Sequence, residues 1–136
     1  MSFTGNFTCN VFKTALFNGD VDFLVNTYYI ALYTNAATLD QDTAAYTTVG
    51  EVVASGYTAG GNLLVPSVAA LDGTSYVSFA NVTWSAAFTA RGALIYKAGA
   101  NGAVCVLDFG ADRTSTTTFT VQFPPATNTS AIIRLN

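Results

Sequence analysis

Short runs in which β-branched or aromatic residues alternate with threonine or serine, each closed off by glycine, asparagine or proline, constrain this chain more than any other feature. The plainest is Thr116-Thr117-Thr118-Phe119-Thr120-Val121-Gln122-Phe123. Period-two alternation presents one apolar and one polar face, which is the pattern of a half-buried strand and does not fit a helix. Thr27 to Thr34 differs. Its two faces, Tyr28/Ile30/Leu32 and Tyr29/Ala31/Tyr33, are both apolar, so it predicts a strand covered on each side.

Glu51 to Ala54 reads as a short strand, and Gly56 to Gly61 as a tight excursion permitted by its glycines. Asn62 to Val65 resumes extended structure, and Pro66 suits an edge or a break. Val77 and Phe79 share one face whereas Val82 and Trp84 have the opposite parity, which predicts a bend near Ala80-Asn81. Gly92 to Lys97, Ala103 to Phe109 and Thr116 to Phe123 read as an antiparallel meander turning at Gly99-Ala100-Asn101-Gly102 and at Gly110 to Ser115. Pro124-Pro125 ends it, and Ala131 to Leu135 is a last strand. Residues 35–48 read as a loop. Residues 1–22 read as a short helix or an arm, because Val11, Phe12, Ala15 and Leu16 share a face and Asn18-Gly19 supplies a stop. Roughly seven or eight short strands with turns every ten residues or so predict an all-β fold over 23–136, a single-domain antiparallel β-sandwich, jelly-roll-like.

The 136 residues suit one domain, which buries roughly two-thirds of the surface its unfolded form exposes. Hydrophobic residues make up 51%, yet no uninterrupted apolar run approaches the ~18 residues of a membrane helix, so no membrane partner is expected. The opening Met1 to Asn6 lacks the cationic region and apolar core of a secretion signal, and the expectation is synthesis and assembly in the cytoplasm. The sequons at Asn6, Asn81 and Asn128 then carry little meaning. Cys9 and Cys105 read as buried free thiols. With a net charge of −3 and five cations the chain can neutralise few phosphates, so nucleic acid is not an expected partner. Only 10% of residues are charged, which leaves apolar surface to meet another subunit.

The chain has no histidine, the side chain best suited to proton exchange near neutral pH. Two distant cysteines cannot close a zinc site, no Gly-x-Ser-x-Gly turn is present, and no cofactor or metal is expected. Asp108-Phe109-Gly110 copies a kinase metal-binding tripeptide without the other kinase motifs, a chance match. Asp108 and Asp112 can bracket a hairpin and bind calcium, or cap the turn with Arg113 as partner. Asp20/Asp22 and Asp40/Asp42 can be cast as acid and base for glycoside cleavage, or as solvated loop carboxylates. Trp84, Tyr76, Tyr28 and Tyr29 read as core or subunit interface, while Tyr46 and Tyr57, in loops, are candidates for contacting a partner. Arg91, before Gly92, reads as an edge residue facing an acidic neighbour or solvent.

The blocks Tyr29 to Thr34, Gly56 to Gly61, Phe88 to Tyr96 and Val106 to Gly110 resemble small virion proteins of tailed bacteriophages. The likeness runs on through Phe119 to Pro124 and Ile132 to Leu135, nearly the whole chain. It carries no catalytic residues. Within that class the size and sandwich are similar to capsid cement or decoration proteins, which implies a non-enzymatic protein on the capsid exterior. Its partners would be the major capsid protein and its own copies, as a dimer or trimer. The segment Ser2 to Phe17, carrying Phe3, Phe7, Phe12 and Phe17, is then either a clamp on a capsid or sister subunit or the closure of one end of its own core. Tail and fibre proteins of similar length also use β-sandwiches, and the alternative is such a protein binding host-surface glycan through Tyr46 and Tyr57.

Overall fold

The doubly apolar strand is an interior strand of the largest sheet. In a computed structural model of the chain, which describes residues 3–135, β2 (Tyr28–Tyr33) is buried at every position except the half-buried Tyr29. The other strands are β1 (Phe7–Thr8), β3 (Asn62–Leu64), β4 (Pro66–Leu71), β5 (Thr74–Phe79), β6 (Val82–Trp84), β7 (Thr89–Lys97), β8 (Ala103–Thr114), β9 (Phe119–Val121) and β10 (Ile133–Leu135). One antiparallel sheet runs β1-β8-β7-β2-β3, a second β10-β5-β4, and a third pairs β6 with β9. The result is an all-β single domain, and its grouping of five, three and two strands is not the four-plus-four of a jelly roll.

All three sheets feed one core, which takes Leu32 and Leu94 from the first, Val77, Phe79 and Ile133 from the second, and Trp84 and Phe119 from the third. Phe23, in the link before β2, ties the parts together. Its ring stacks on Tyr28 at 4.7 Å and meets Phe12 and Phe79 edge-on at 5.9 and 6.1 Å.

The one helix among the described residues, α1 (Asn10–Asn18), turns Phe12 into the core, with Val11, Ala15 and Leu16 half-buried beside it. Gly19 ends it in the left-handed region at φ 73°, where its N–H and that of Asp20 satisfy the last carbonyls. Pro66 opens an edge strand, as its missing N–H requires. The bend falls between β5 and β6, where the Asn81 side chain accepts the Phe123 N–H at 2.9 Å. Cys9 and Cys105 are buried free thiols.

Three expectations are corrected. The Gly110 to Ser115 signal does not reverse the chain, because β8 runs on to Thr114 and the glycine lies in a bulge within it. The Thr116 to Phe123 strand shortens to Phe119–Val121 and pairs with β6, so the expected meander is a single hairpin, β7–β8. Alternation fixes which face a strand buries but not which neighbour it takes, and here Phe119 lies beside Trp84 and stacks on Phe88 at 4.9 Å. Of Glu51 to Ala54, only Glu51 pairs, as an isolated bridge to Tyr33.

Candidate functional site

Arg91 occupies one of the two places where β7 and β8 lose register. Ala90 faces Arg113 and Gly92 faces Asp108, so Phe109, Gly110, Ala111 and Asp112 stand against Arg91 alone. The bulge aims the guanidinium at the Asp108 carboxylate, and the two form an ion pair whose side chains are 12% and 14% exposed. Asp108 also accepts the Gly110 N–H at 2.8 Å, and its own N–H donates to Asn6 Oδ1 at 2.6 Å. Arg91 therefore sits on an interior strand with an acid of its own chain, correcting the edge position expected for it. Arg113 donates instead to the Phe109 carbonyl at 3.2 Å. The extra residues of the bulge hide this pairing from sequence spacing.

Beneath Arg91 lies the N-terminal segment. The guanidinium stands 5.7 Å from the centre of the Phe3 ring. Phe3 is 1% exposed and packs on Gly92, where a Cβ would come within 2.4 Å of the ring. Phe12 is buried in the same core, Phe7 packs against it from β1, and Phe17 alone of the four phenylalanines projects, 92% exposed. Ser2, where the expected arm begins, lies outside the described residues.

Burial pushes the Asp108 carboxyl up, but the Arg91 hydrogen bond, the Gly110 N–H and the Arg91 charge outweigh it and hold the group below the usual carboxylate range. A depressed folded pKa means that the pair stabilises fully above the unfolded value and is lost as pH falls through the folded one. The melting-temperature gap between the native chain and Arg91→Met should therefore be constant above about pH 5 and close progressively below about pH 4, which thermal melts across pH will check.

A second constellation surrounds Glu51, a residue that sequence reasoning placed only in a strand. Glu51 is 6% exposed. Oε1 accepts the Tyr46 hydroxyl at 2.6 Å, and Oε2 accepts the Tyr57 hydroxyl and the Gly60 N–H, each at 2.8 Å. The Tyr57 oxygen accepts the Leu32 N–H of β2 at 2.8 Å, and the Tyr96 hydroxyl donates to the Gly60 carbonyl at 2.6 Å. Tyr46 stacks on Tyr96 at 4.9 Å, and Tyr96 on Tyr29 at 5.7 Å. The network fastens the long irregular segment between β2 and β3 onto the centre of the large sheet. Tyr57 is 8% exposed and Tyr46 half-buried, so the hydroxyls of both expected loop contacts point at Glu51. A signal for Glu51 was present: it is a lone acid among Val49, Gly50, Val52 and Val53.

Burial raises the Tyr28 and Tyr96 hydroxyls to about 12 and the Cys9 thiol to about 11. It also pushes Tyr33, Tyr46 and Tyr57 upward, and hydrogen bonding to Glu51 adds to the rise for the last two. A group whose folded pKa is raised stabilises fully below its unfolded value, and that stability is lost as pH climbs toward the folded value. Stability should hold to about pH 9 and fall steeply between about pH 10 and 12. Tyrosinate absorbance should then appear together with loss of far-ultraviolet circular dichroism, not before it.

The paired aspartates serve turns. Asp40 accepts the Asp42 N–H and Asp22 the Leu24 N–H, both at 2.9 Å, and Asp42 accepts from the Asn10 side chain at 2.8 Å. Outside this ordered interior the chain exposes large apolar side chains, among them Val53 at 96%, Leu24 at 78% and Val25 at 76%. Comparison of the chain with protein-family models, with curated proteins and with solved structures finds no match.

Proposed function

We propose that this protein is a non-enzymatic structural component of a phage virion, a cement or decoration protein that binds the outside of the major capsid shell and stabilises the head. The observation that carries the reading is the exposure of side chains such as Val53 and Phe17 around a closed core, in a chain with only 10% charged residues. Exposed apolar groups on an ordered scaffold suit protein–protein contact. A modest contact of this kind becomes firm retention when many copies bind one lattice. The resemblance of the Tyr29 to Thr34, Gly56 to Gly61 and Phe88 to Tyr96 blocks to small virion proteins supports the same class. The glycan-binding alternative relied on Tyr46 and Tyr57, and the hydroxyls of both are engaged by Glu51.

Two measurements test the reading. Labelled antibody on purified phage particles should decorate heads, and purified protein added to shells that lack it should bind to saturation and raise resistance to osmotic shock. Label confined to tails, or shells that neither bind the protein nor gain strength, would refute it.

A further inference from the structure

Between α1 and β10 lies a cleft of about 640 Å³. Phe12 and Leu16 of the helix and Leu135 of β10 line it, and Phe17 projects at its border. Lys13 and Arg134 give it a positive charge, and no Asp or Glu is among its lining residues. Two of the five cations of a net-acidic chain thus meet at one apolar cleft. Neither has an ion-pair partner among the described residues, where Arg91–Asp108 is the one such pair. Arg134 donates to the Thr129 carbonyl, which leaves its charge unneutralised.

The same chain exposes an acidic turn with an apolar tip, where the Asp20 carbonyl accepts from Lys97 at 2.7 Å while the Asp20 carboxylate forms no ion pair among the described residues. The link after α1 reads Asp20-Val21-Asp22-Phe23-Leu24-Val25, with both aspartates exposed and Leu24 and Val25 more than three-quarters exposed. This turn is built rather than loose. Phe23 is anchored on Tyr28, the Asp22 carboxylate accepts the Leu24 N–H, and the Asp22 carbonyl accepts from Val25 and Asn26 at 3.2 and 2.8 Å. The two aliphatic side chains are therefore held outward in advance, which lowers the ordering cost of contact.

We propose that the two surfaces meet between copies of this chain: the 20–25 turn of one copy enters the α1–β10 cleft of another. Leu24 and Val25 pack on Phe17 and Leu135, Asp20 faces Lys13, and Asp22 faces Arg134. Cleft and turn adjoin, since only Asn18 and Gly19 separate Phe17 from Asp20. In the proposed dimer a two-fold rotation makes both contacts at once and closes the assembly. The apolar centre supplies affinity and the charged rim sets register. The inference does not depend on the capsid reading.

Sedimentation velocity of the full chain over a range of concentrations tests it. The native protein should form a dimer that weakens with added salt. Lys13→Glu and Asp20→Lys should each weaken it about tenfold, because two-fold symmetry removes every pair twice, and the double variant should return to within about threefold of the native affinity. Phe17→Ser should abolish the dimer. All these positions are exposed, so unchanged melting curves will show that lost assembly is not lost folding. A monomer at every concentration, an assembly indifferent to these substitutions, or a double swap that restores nothing would overturn the proposal.

Discussion

Replacing Glu51 with alanine is expected to destabilise the fold by about 3–5 kcal/mol, among the largest effects of any single side chain outside the aliphatic core. The carboxylate answers the Tyr46 hydroxyl, the Tyr57 hydroxyl and the Gly60 N–H, and truncation leaves donors facing a space without an acceptor. Glu51→Gln keeps one acceptor oxygen but turns an amide N–H toward a donor, and should cost about 1–2 kcal/mol. Tyr57→Phe is expected to fall between them, because it removes both the bond to Glu51 and the acceptor of the Leu32 N–H. Urea melts will give the ranking, and amide exchange at Leu32 and Gly60 should accelerate with it. Should Glu51→Ala lie within about 1 kcal/mol of the native chain, the network is not what holds the segment between β2 and β3.

Gly61→Ala should be comparably damaging, at about 4 kcal/mol or more, combining left-handed strain with backbone overlap. Gly61 has φ 80°, and a Cβ there would stand 1.8 Å from the Ile30 carbonyl oxygen and 2.8 Å from the Ala31 Cα. Relief requires β2 and β3 to part at the point where Ile30 pairs with Asn62. Gly73 provides the control, since it has the same φ of 80° with nothing within 4 Å of the added carbon. Gly73→Ala should cost only about 1–2 kcal/mol, the conformational part. The difference between the two urea midpoints measures the close approach, and equal midpoints would rule it out.

Some of this architecture was legible in the residues because its causes are local. The doubly apolar β2, the α1 stop at Asn18-Gly19, the Gly99 to Gly102 reversal and the Pro66 edge follow from periodicity, backbone freedom and a missing N–H. Such signals act over a few residues and do not depend on what lies across the core. Glu51 was visible as an acid among valines, but not as an acceptor for Tyr46 and Tyr57, because those bonds exist only once the loop has folded back on itself. Arg91 misled for a related reason: its carboxylate is brought opposite by a bulge, and a bulge breaks the residue counting on which spacing arguments rest.

The amino-acid order alone therefore settled the class, an all-β domain, since alternation and turn chemistry are written residue by residue, but it left the N-terminal segment open as a helix or an arm. Folding in three dimensions decided which strands became neighbours, turning β9 toward β6 and away from β8, and it set Phe3 under Arg91 while leaving Phe17 in solvent. Those choices rest on long-range packing, where an aromatic ring or a carboxylate takes the partner that best excludes water or satisfies its hydrogen bonds, whatever the distance along the chain.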